Sequence, residues 1–266
     1  MATIKRQEIA ACLRAPRENW LVLDAVDSTN TNLKYLALEG AGDGTVLIAN
    51  EQSAGRGRLG RSFQSKGGLG VYLSVLWRPQ VPPQDLMALP ALGAVAACRA
   101  VERVCGIEVQ IKWPNDLVCR GKKLGGILTE LVSDPNRGAA VIMGIGINVC
   151  HRQRDFDGEV ADIASSLEAE CGKPVSRSAL AAALMEELDL LRADALETPQ
   201  RWLEEYRGRC MTVGREVQLL SGEERRQAFA LGVDDQYGLT VREADGTVQT
   251  VRAGEVSVRG MYGYAP

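Results

Sequence analysis

A chain of 266 residues with a net charge of −3 is long enough for one sizeable core and a small second domain. That charge argues against bulk, sequence-independent nucleic-acid binding, which wants a basic surface. The apolar fraction of 45% and charged fraction of 24% suit an ordinary globular protein, with no apolar run long enough for a membrane span and no charged-then-apolar leader.

The seven cysteines are widely spaced, without a C-x-x-C pair. They suit reduced, mostly buried thiols better than disulfides or zinc, and with neither span nor leader the protein is expected in the cytoplasm. Ile4 to Leu13 predicts a short helix ended near Pro16, too short a leader for a DNA-binding helix-turn-helix domain. Trp20 to Ala25 reads as a buried strand running into Asp27-Ser28-Thr29-Asn30, a turn in which Ser28 or Thr29 can cap a helix to Glu39. Two hydroxyls and an amide at the end of a strand also make a hydrogen-bonding cluster.

Thr45 to Ala49 is a strand that feeds Gln52-Ser53-Ala54-Gly55-Arg56-Gly57-Arg58-Leu59-Gly60-Arg61. Glycines let several N–H groups approach one ligand, and arginine forks match phosphate or carboxylate oxygens in pairs. No acid occurs from Gln52 through Gln84. GRGRLG fits the G-x-G-x-x-G pattern, but a turn and a strand follow it rather than a helix, so the dinucleotide reading fails. An anion-cradling loop is the reading that remains beside an incidental hairpin tip.

Leu69 to Trp77 leaves the loop as a strand, and Gln84 to Val104 has helical spacing with Pro90 kinking or separating its first turns. Glu108 to Trp113 alternates as a strand. Leu124 to Val132 and Ala139 to Val149 predict an antiparallel hairpin across Ser133 to Gly138. Glycine pairs inside these strands (Gly125-Gly126, Gly144 and Gly146) imply a slot for a flat or extended ligand. Ser176 to Arg192 is an amphipathic helix and Pro199 to Arg207 a shorter one. After Cys210 short strands and turns predict a small barrel, so the domains are expected at 1–210 and 211–266.

His151 is the one histidine, and no cluster of His and Cys exists. Chemistry must then rest on cations and backbone donors. Lys112-Trp113-Pro114-Asn115-Asp116 and Lys122-Lys123-Leu124-Gly125-Gly126 add lysines to the arginine loop, making a site for a polyphosphate and a second anion. Asp116 is the acid available to hold magnesium. Such a site fits nucleotidyl transfer.

DSTN at 27–30, QSAGRGRLGR at 52–61, KWPNDL at 112–117, GKKLGGIL at 121–128 and GIGIN at 144–148 together resemble the signature blocks of biotin–protein ligases. The resemblance runs from Asp24 to Val149. It implies an α+β catalytic domain akin to class II aminoacyl-tRNA synthetases, followed by an SH3-like β-barrel. It also implies ATP-dependent formation of biotinyl-5′-adenylate and transfer of biotin to one lysine of a carboxylase's biotin carboxyl carrier domain. With so little chain before Asp27, it is to the monofunctional type without a DNA-binding domain, with no DNA or membrane partner and a homodimer left open.

Carried over, Ser28, Thr29, Asn30 and Gln52 would bind the biotin ring system, flanked by Gly125, Gly126 and the strand to Asn148. Arg56, Gly57 and Arg58 would close over the biotin carboxylate and the adenylate phosphate, with Arg61 beside them. Lys123 would hold the carboxylate and, with Arg58, neutralise charge at the α-phosphate. Lys112, Trp113, Asn115, Asp116 and Asn148 would line the ATP and magnesium side. The sequence departs from the family at Phe63, where tryptophan is common, and at Ser65-Lys66, where Ser-Pro is common. The nearest alternative is a lipoate- or octanoyl-type protein ligase or transferase. From a different class comes a non-catalytic sensor of biotinyl-adenylate.

Overall fold

A computed structural model describes residues 3–79, 83–134, 138–195, 197–221, 224–252 and 257–260. The strands of the first unit are β1 (Trp20–Val26), β2 (Val46–Gln52), β3 (Gly70–Trp77), β4 (Gln110–Lys112), β5 (Asp116–Cys119), β6 (Lys122–Asp134) and β7 (Gly138–Asn148). They form one seven-stranded sheet in the order β1-β2-β3-β7-β6-β5-β4. Only β1 and β2 run parallel; every other neighbouring pair is antiparallel. The helices are α1 (Arg6–Ala10), α2 (Thr29–Glu39), α3 (Leu89–Cys105), α4 (Val160–Ile163), α5 (Leu167–Cys171), α6 (Arg177–Asp194) and α7 (Pro199–Arg209).

Side chains alternate across a strand, so each central strand serves two faces. Val71, Leu73, Val75 and Trp77 of β3 join Val141, Met143, Ile145 and Ile147 of β7 in the main core, against α3 and α6. Alanine-rich α3 lies close to the sheet, and a Cβ on Gly93 would meet Met143 Sδ at 2.6 Å. The opposite face carries a smaller core in which Leu33 and Ala37 of α2 cover Leu47, Leu76, Val132 and Ile142. On that second face, beyond the start of α2, the alternation places Ser74, Glu130, Gly144, Gly146 and Asn148. Polar groups and bare backbone replace apolar side chains there, which makes room for a ligand.

The remaining strands, β8 (Glu216–Ser221), β9 (Glu224–Val233), β10 (Leu239–Glu243), β11 (Val248–Val251) and β12 (Ser257–Gly260), form a five-stranded antiparallel sheet ordered β11-β10-β9-β8-β12. The predicted tight turn is present at Gly246, in the left-handed region with φ +90°, between β10 and β11. The two units are joined by specific bonds. Trp113 N donates to Thr212 Oγ1 at 3.0 Å, Trp113 Nε1 to the Tyr237 carbonyl at 3.0 Å, and Arg207 Nε to the Val233 carbonyl at 2.8 Å.

Several local expectations are corrected. Ser28 takes the N-cap position of α2 but makes no side-chain capping bond, and Thr29 is already helical. The stretch before Pro90 is a separate 3-10 helix, Pro83–Ala88, and α3 begins at Leu89 with the proline in its first turn, where a missing N–H costs nothing. The stretch Asp116–Cys119, beginning two positions after Pro114, forms an additional strand. The hairpin between β6 and β7 is antiparallel as predicted, while residues 135–137 of its turn lie outside the described residues. All seven cysteines are free.

Candidate active site

Most of the sequence-predicted site residues border a single cavity of about 390 Å³. Its floor is the second face of the sheet. Ser28, Thr29, Asn30 and Gln52 border one side, and Lys112, Trp113, Asn115, Asp116 and Lys123 the other, with Arg56, Gly57, Arg58 and Arg61 between them. Gly126 and Asn148 complete the predicted set. Gly125 does not border the cavity. A Cβ on it would run into the Gly146 carbonyl, so its missing side chain lets β6 and β7 lie close together.

The first side is neutral and densely hydrogen-bonded. Gln52 Oε1 accepts from Thr29 N at 2.8 Å and Thr29 Oγ1 at 3.0 Å, and Gln52 Nε2 donates to Ser65 Oγ at 2.7 Å. Buried Ser74 Oγ lies 2.7 Å from both Thr29 Oγ1 and Asn30 Oδ1. These bonds fix the side chains of Thr29, Asn30, Gln52 and Ser74 around a space that presents donors and acceptors to a polar, uncharged group. The absence of side chains at Gly144 and Gly146 is filled by Asn30 and by the Phe63 ring, whose Cζ stands 2.8 Å from where a Cβ of Gly146 would be. Phe63 thus seats the returning limb of the loop on the floor, edge-on to Tyr72 at 6.3 Å.

The second side is charged. Lys123 Nζ pairs with Asp116 Oδ1 at 2.6 Å, across the bare position of Gly126, where a Cβ would stand 3.0 Å from Asp116 Oδ1. Asn115 is fixed by donating its Nδ2 to the Ile127 carbonyl, and its Oδ1 accepts from Arg58 Nη1 at 3.2 Å. Burial lowers the basicity of the Arg58 guanidinium, and the nearby Asp116 carboxylate opposes that effect. Tyr206 Oη donates to the Pro114 carbonyl at 2.9 Å, holding the turn that follows the cis Trp113–Pro114 peptide. A guanidinium that burial partly desolvates beside a shared cavity is well prepared for an anionic ligand.

A third wall gave no sequence signal beyond polarity. Residues 152–166 fold back over the cavity, and Phe156, Glu159, Val160, Asp162, Ile163 and Ala164 border it. Ser165 N donates to the Lys123 carbonyl at 2.9 Å, and Asn148 Nδ2 to the Ser165 carbonyl at 3.1 Å. The departure from the family at Lys66 has a partner here, because Lys66 Nζ pairs with Asp157 at 2.8 Å. Gln64 exchanges two hydrogen bonds with the Asp157 backbone, at 3.0 and 3.2 Å. The arginine loop and the third wall are therefore fastened to each other at the rim of the cavity.

His151 anchors that wall by stacking on Phe156 at 5.1 Å. Neither ring nitrogen has a hydrogen-bond partner, and burial lowers its pKa to about 4, against the pull of Asp155. The unfolded chain takes up this proton near pH 6.5 and the folded protein only near pH 4. Stability is therefore full above about pH 6.5 and falls as the pH drops through that window, by about 3 kcal/mol for this group. Denaturant melts at pH 7 and pH 5 should show about 2 kcal/mol of this loss in the wild type, and His151→Phe should show less of it. An equal loss in both proteins would assign it to other groups.

Among the described residues no group of three or more His, Cys, Asp or Glu side chains is arranged to hold a metal ion, and no helix is long and apolar enough to cross a membrane.

Comparison with known proteins adds to this geometry. The sequence model of the Biotin/lipoate A/B protein ligase family matches residues 22–148. The bifunctional ligase/repressor BirA of Bacillus subtilis is 34% identical over 238 residues, covering 88% of this chain and 72% of that protein. A biotin–[acetyl-CoA-carboxylase] ligase of Mycobacterium tuberculosis is 34% identical over 246 residues, covering 89% of each. Among solved structures, the biotin protein ligase of Aquifex aeolicus in complex with biotin and ATP superposes with a TM-score of 0.78 at 30% identity. That match covers 92% of this chain and 100% of that one.

Proposed function

The chain belongs to the biotin–protein ligases, ATP-dependent enzymes of the biotin/lipoate A/B protein ligase family, and from that membership we propose how its cavity performs the reaction. The observation that carries the proposal is the division of one cavity into a neutral side and a cationic side, with the arginine loop between them. Ser28, Thr29, Asn30 and Gln52 bind the uncharged ring system of biotin. Lys112, Trp113, Asn115, Asp116 and Asn148 border the ATP side.

In the first half-reaction a biotin carboxylate oxygen attacks the α-phosphorus of ATP, and the bond to the departing pyrophosphate breaks. Two anions must approach, and Lys123 and Arg58 lower their repulsion. Lys123 is held at the junction by Asp116, and an incoming oxyanion competes for its three N–H donors. Magnesium fits a site with one carboxylate, Asp116, because the ion takes its other ligands from phosphates and water. Bound there, it would neutralise phosphate charge. In the second half-reaction the acceptor lysine of a biotin carboxyl carrier domain, in its neutral amine form, attacks the biotinyl carbonyl. AMP leaves, and biotin is joined to the lysine by an amide bond.

The loop and the 152–166 wall cover the mixed anhydride between the two steps and keep water from it. The boundary between catalytic and C-terminal domains falls near Met211, since β8 starts at Glu216 after the last helix ends at Arg209. Seven free thiols suit the reducing cytoplasm, where ATP and carboxylases are found.

Incubation with biotin, ATP, magnesium and a carboxyl carrier domain should give pyrophosphate and an avidin-reactive carrier. Parallel arms with lipoate and octanoate in place of biotin should leave the carrier unmodified. Modification in those arms and none with biotin would refute the reading.

A further inference from the structure

Glu130 of β6 does not border the cavity, yet it touches two residues that do. Its Oε1 is 2.9 Å from Arg56 Nη1, and its Oε2 accepts from Asn30 Nδ2 at 2.8 Å. From Asn30 the bonds continue through Ser74, Thr29 and Gln52 to Ser65. One unbroken series of polar contacts thus joins Arg56 on the outgoing limb of the loop to Ser65 on its returning limb. Arg58, two residues further on, turns to the other side and donates to Asn115. The loop's arginines are divided between the two halves of the cavity, and Glu130 is the carboxylate that draws Arg56 to the neutral half.

We propose that Glu130 is a positioning residue for biotin recognition, one that holds Arg56 in place before the ligand arrives and orients the Asn30 amide. The proposal rests on the biotin-ligase reading of the cavity. The Arg56 side chain is 52% exposed, so without an anchor it would sample many rotamers, and binding would have to order it. Glu130 engages the guanidinium through Nη1, and a guanidinium has five N–H donors, which leaves others for the biotin carboxylate. A carboxylate placed behind the arginine therefore organises it without consuming its capacity to bind a second anion.

The test is Glu130→Gln, which keeps the size of the side chain and an acceptor for Asn30 while removing the charge. Initial rates of pyrophosphate release should show KM for biotin rising about tenfold, the scale of a lost charge-assisted hydrogen bond. KM for ATP should stay within about twofold, because the ATP side is untouched. Trypsin, applied without ligand and mapped by mass spectrometry, should cut after Arg56 faster relative to Arg58 and Arg61 than in the wild type. Arg56→Gln should reproduce the split in KM, and the double variant should be no worse than Arg56→Gln alone.

An unchanged KM for biotin would overturn the proposal, and so would equal rises in both KM values with a lowered melting temperature. Should Glu130→Gln fail to fold, Glu130→Asp, which keeps the charge but withdraws it from Arg56 by one methylene, decides by the same split. If the wild type releases no pyrophosphate with biotin, the ligase reading fails, while the cleavage pattern still reports whether Glu130 holds Arg56.

Discussion

Lys123→Gln should lower biotin-dependent ATP–pyrophosphate exchange by roughly thirty- to a thousand-fold, the loss of about 2–4 kcal/mol of oxyanion stabilisation. The side chain sits at the start of β6, where its carbonyl is fixed by Ser165 N and its ammonium by Asp116. Glutamine keeps N–H donors one bond short of the lysine nitrogen but carries no charge to set against two approaching anions. The fold should survive, because the Lys123–Asp116 pair is a partly exposed ion pair of the kind that contributes at most about 1 kcal/mol. Exchange within about threefold of the wild type, in a protein with an unchanged melt, would remove Lys123 from the chemistry.

Removing residues 211–266 should abolish the first half-reaction through its effect on ATP. The truncated chain loses Thr212 Oγ1 and the Tyr237 carbonyl, the two acceptors that fix Trp113. It also loses the Tyr237 ring, packed edge-on to Tyr206 at 5.4 Å. Trp113 and Tyr206 are each at most 2% exposed in the intact protein. Uncovering two large aromatics costs roughly 3–6 kcal/mol, a large share of the stability of any domain. The milder Thr212→Val removes one hydrogen bond and should raise KM for ATP a few-fold, about 1 kcal/mol. A soluble chain ending at Cys210 with ordinary ATP affinity would show that the second sheet is dispensable for the site.

The blocks at 27–30, 52–61, 112–117, 121–128 and 144–148 were legible because their chemistry is unusual for the places they occupy. Arginines between glycines and glycines inside buried strands are costly unless a ligand needs them. Glu130 and Ser74 escaped notice for the opposite reason. Each lies in a largely apolar run of its strand, and alternation alone assigns such a residue to an ordinary solvent-facing position. Only the pairing of β6 and β3 with β7 brings them beneath the arginine loop. Gly125 and Gly126 are adjacent in sequence and read alike. In the fold one allows two strands to approach and the other makes room for an ion pair. The 152–166 wall has neither a helical nor a strand period, because its form comes from bonds to Lys123, Asn148 and Gln64 rather than from its own pattern.

The fastening of Gln64 and Lys66 to Asp157 lies on the outer surface, with the Lys66 and Asp157 side chains 40% and 68% exposed. Water can replace such bonds at little cost, and an exposed ion pair contributes no more than about 1 kcal/mol. The bonds that join loop to wall are therefore the ones that added salt weakens first, because ionic strength screens the exposed Lys66–Asp157 pair far more than the buried contacts of the cavity.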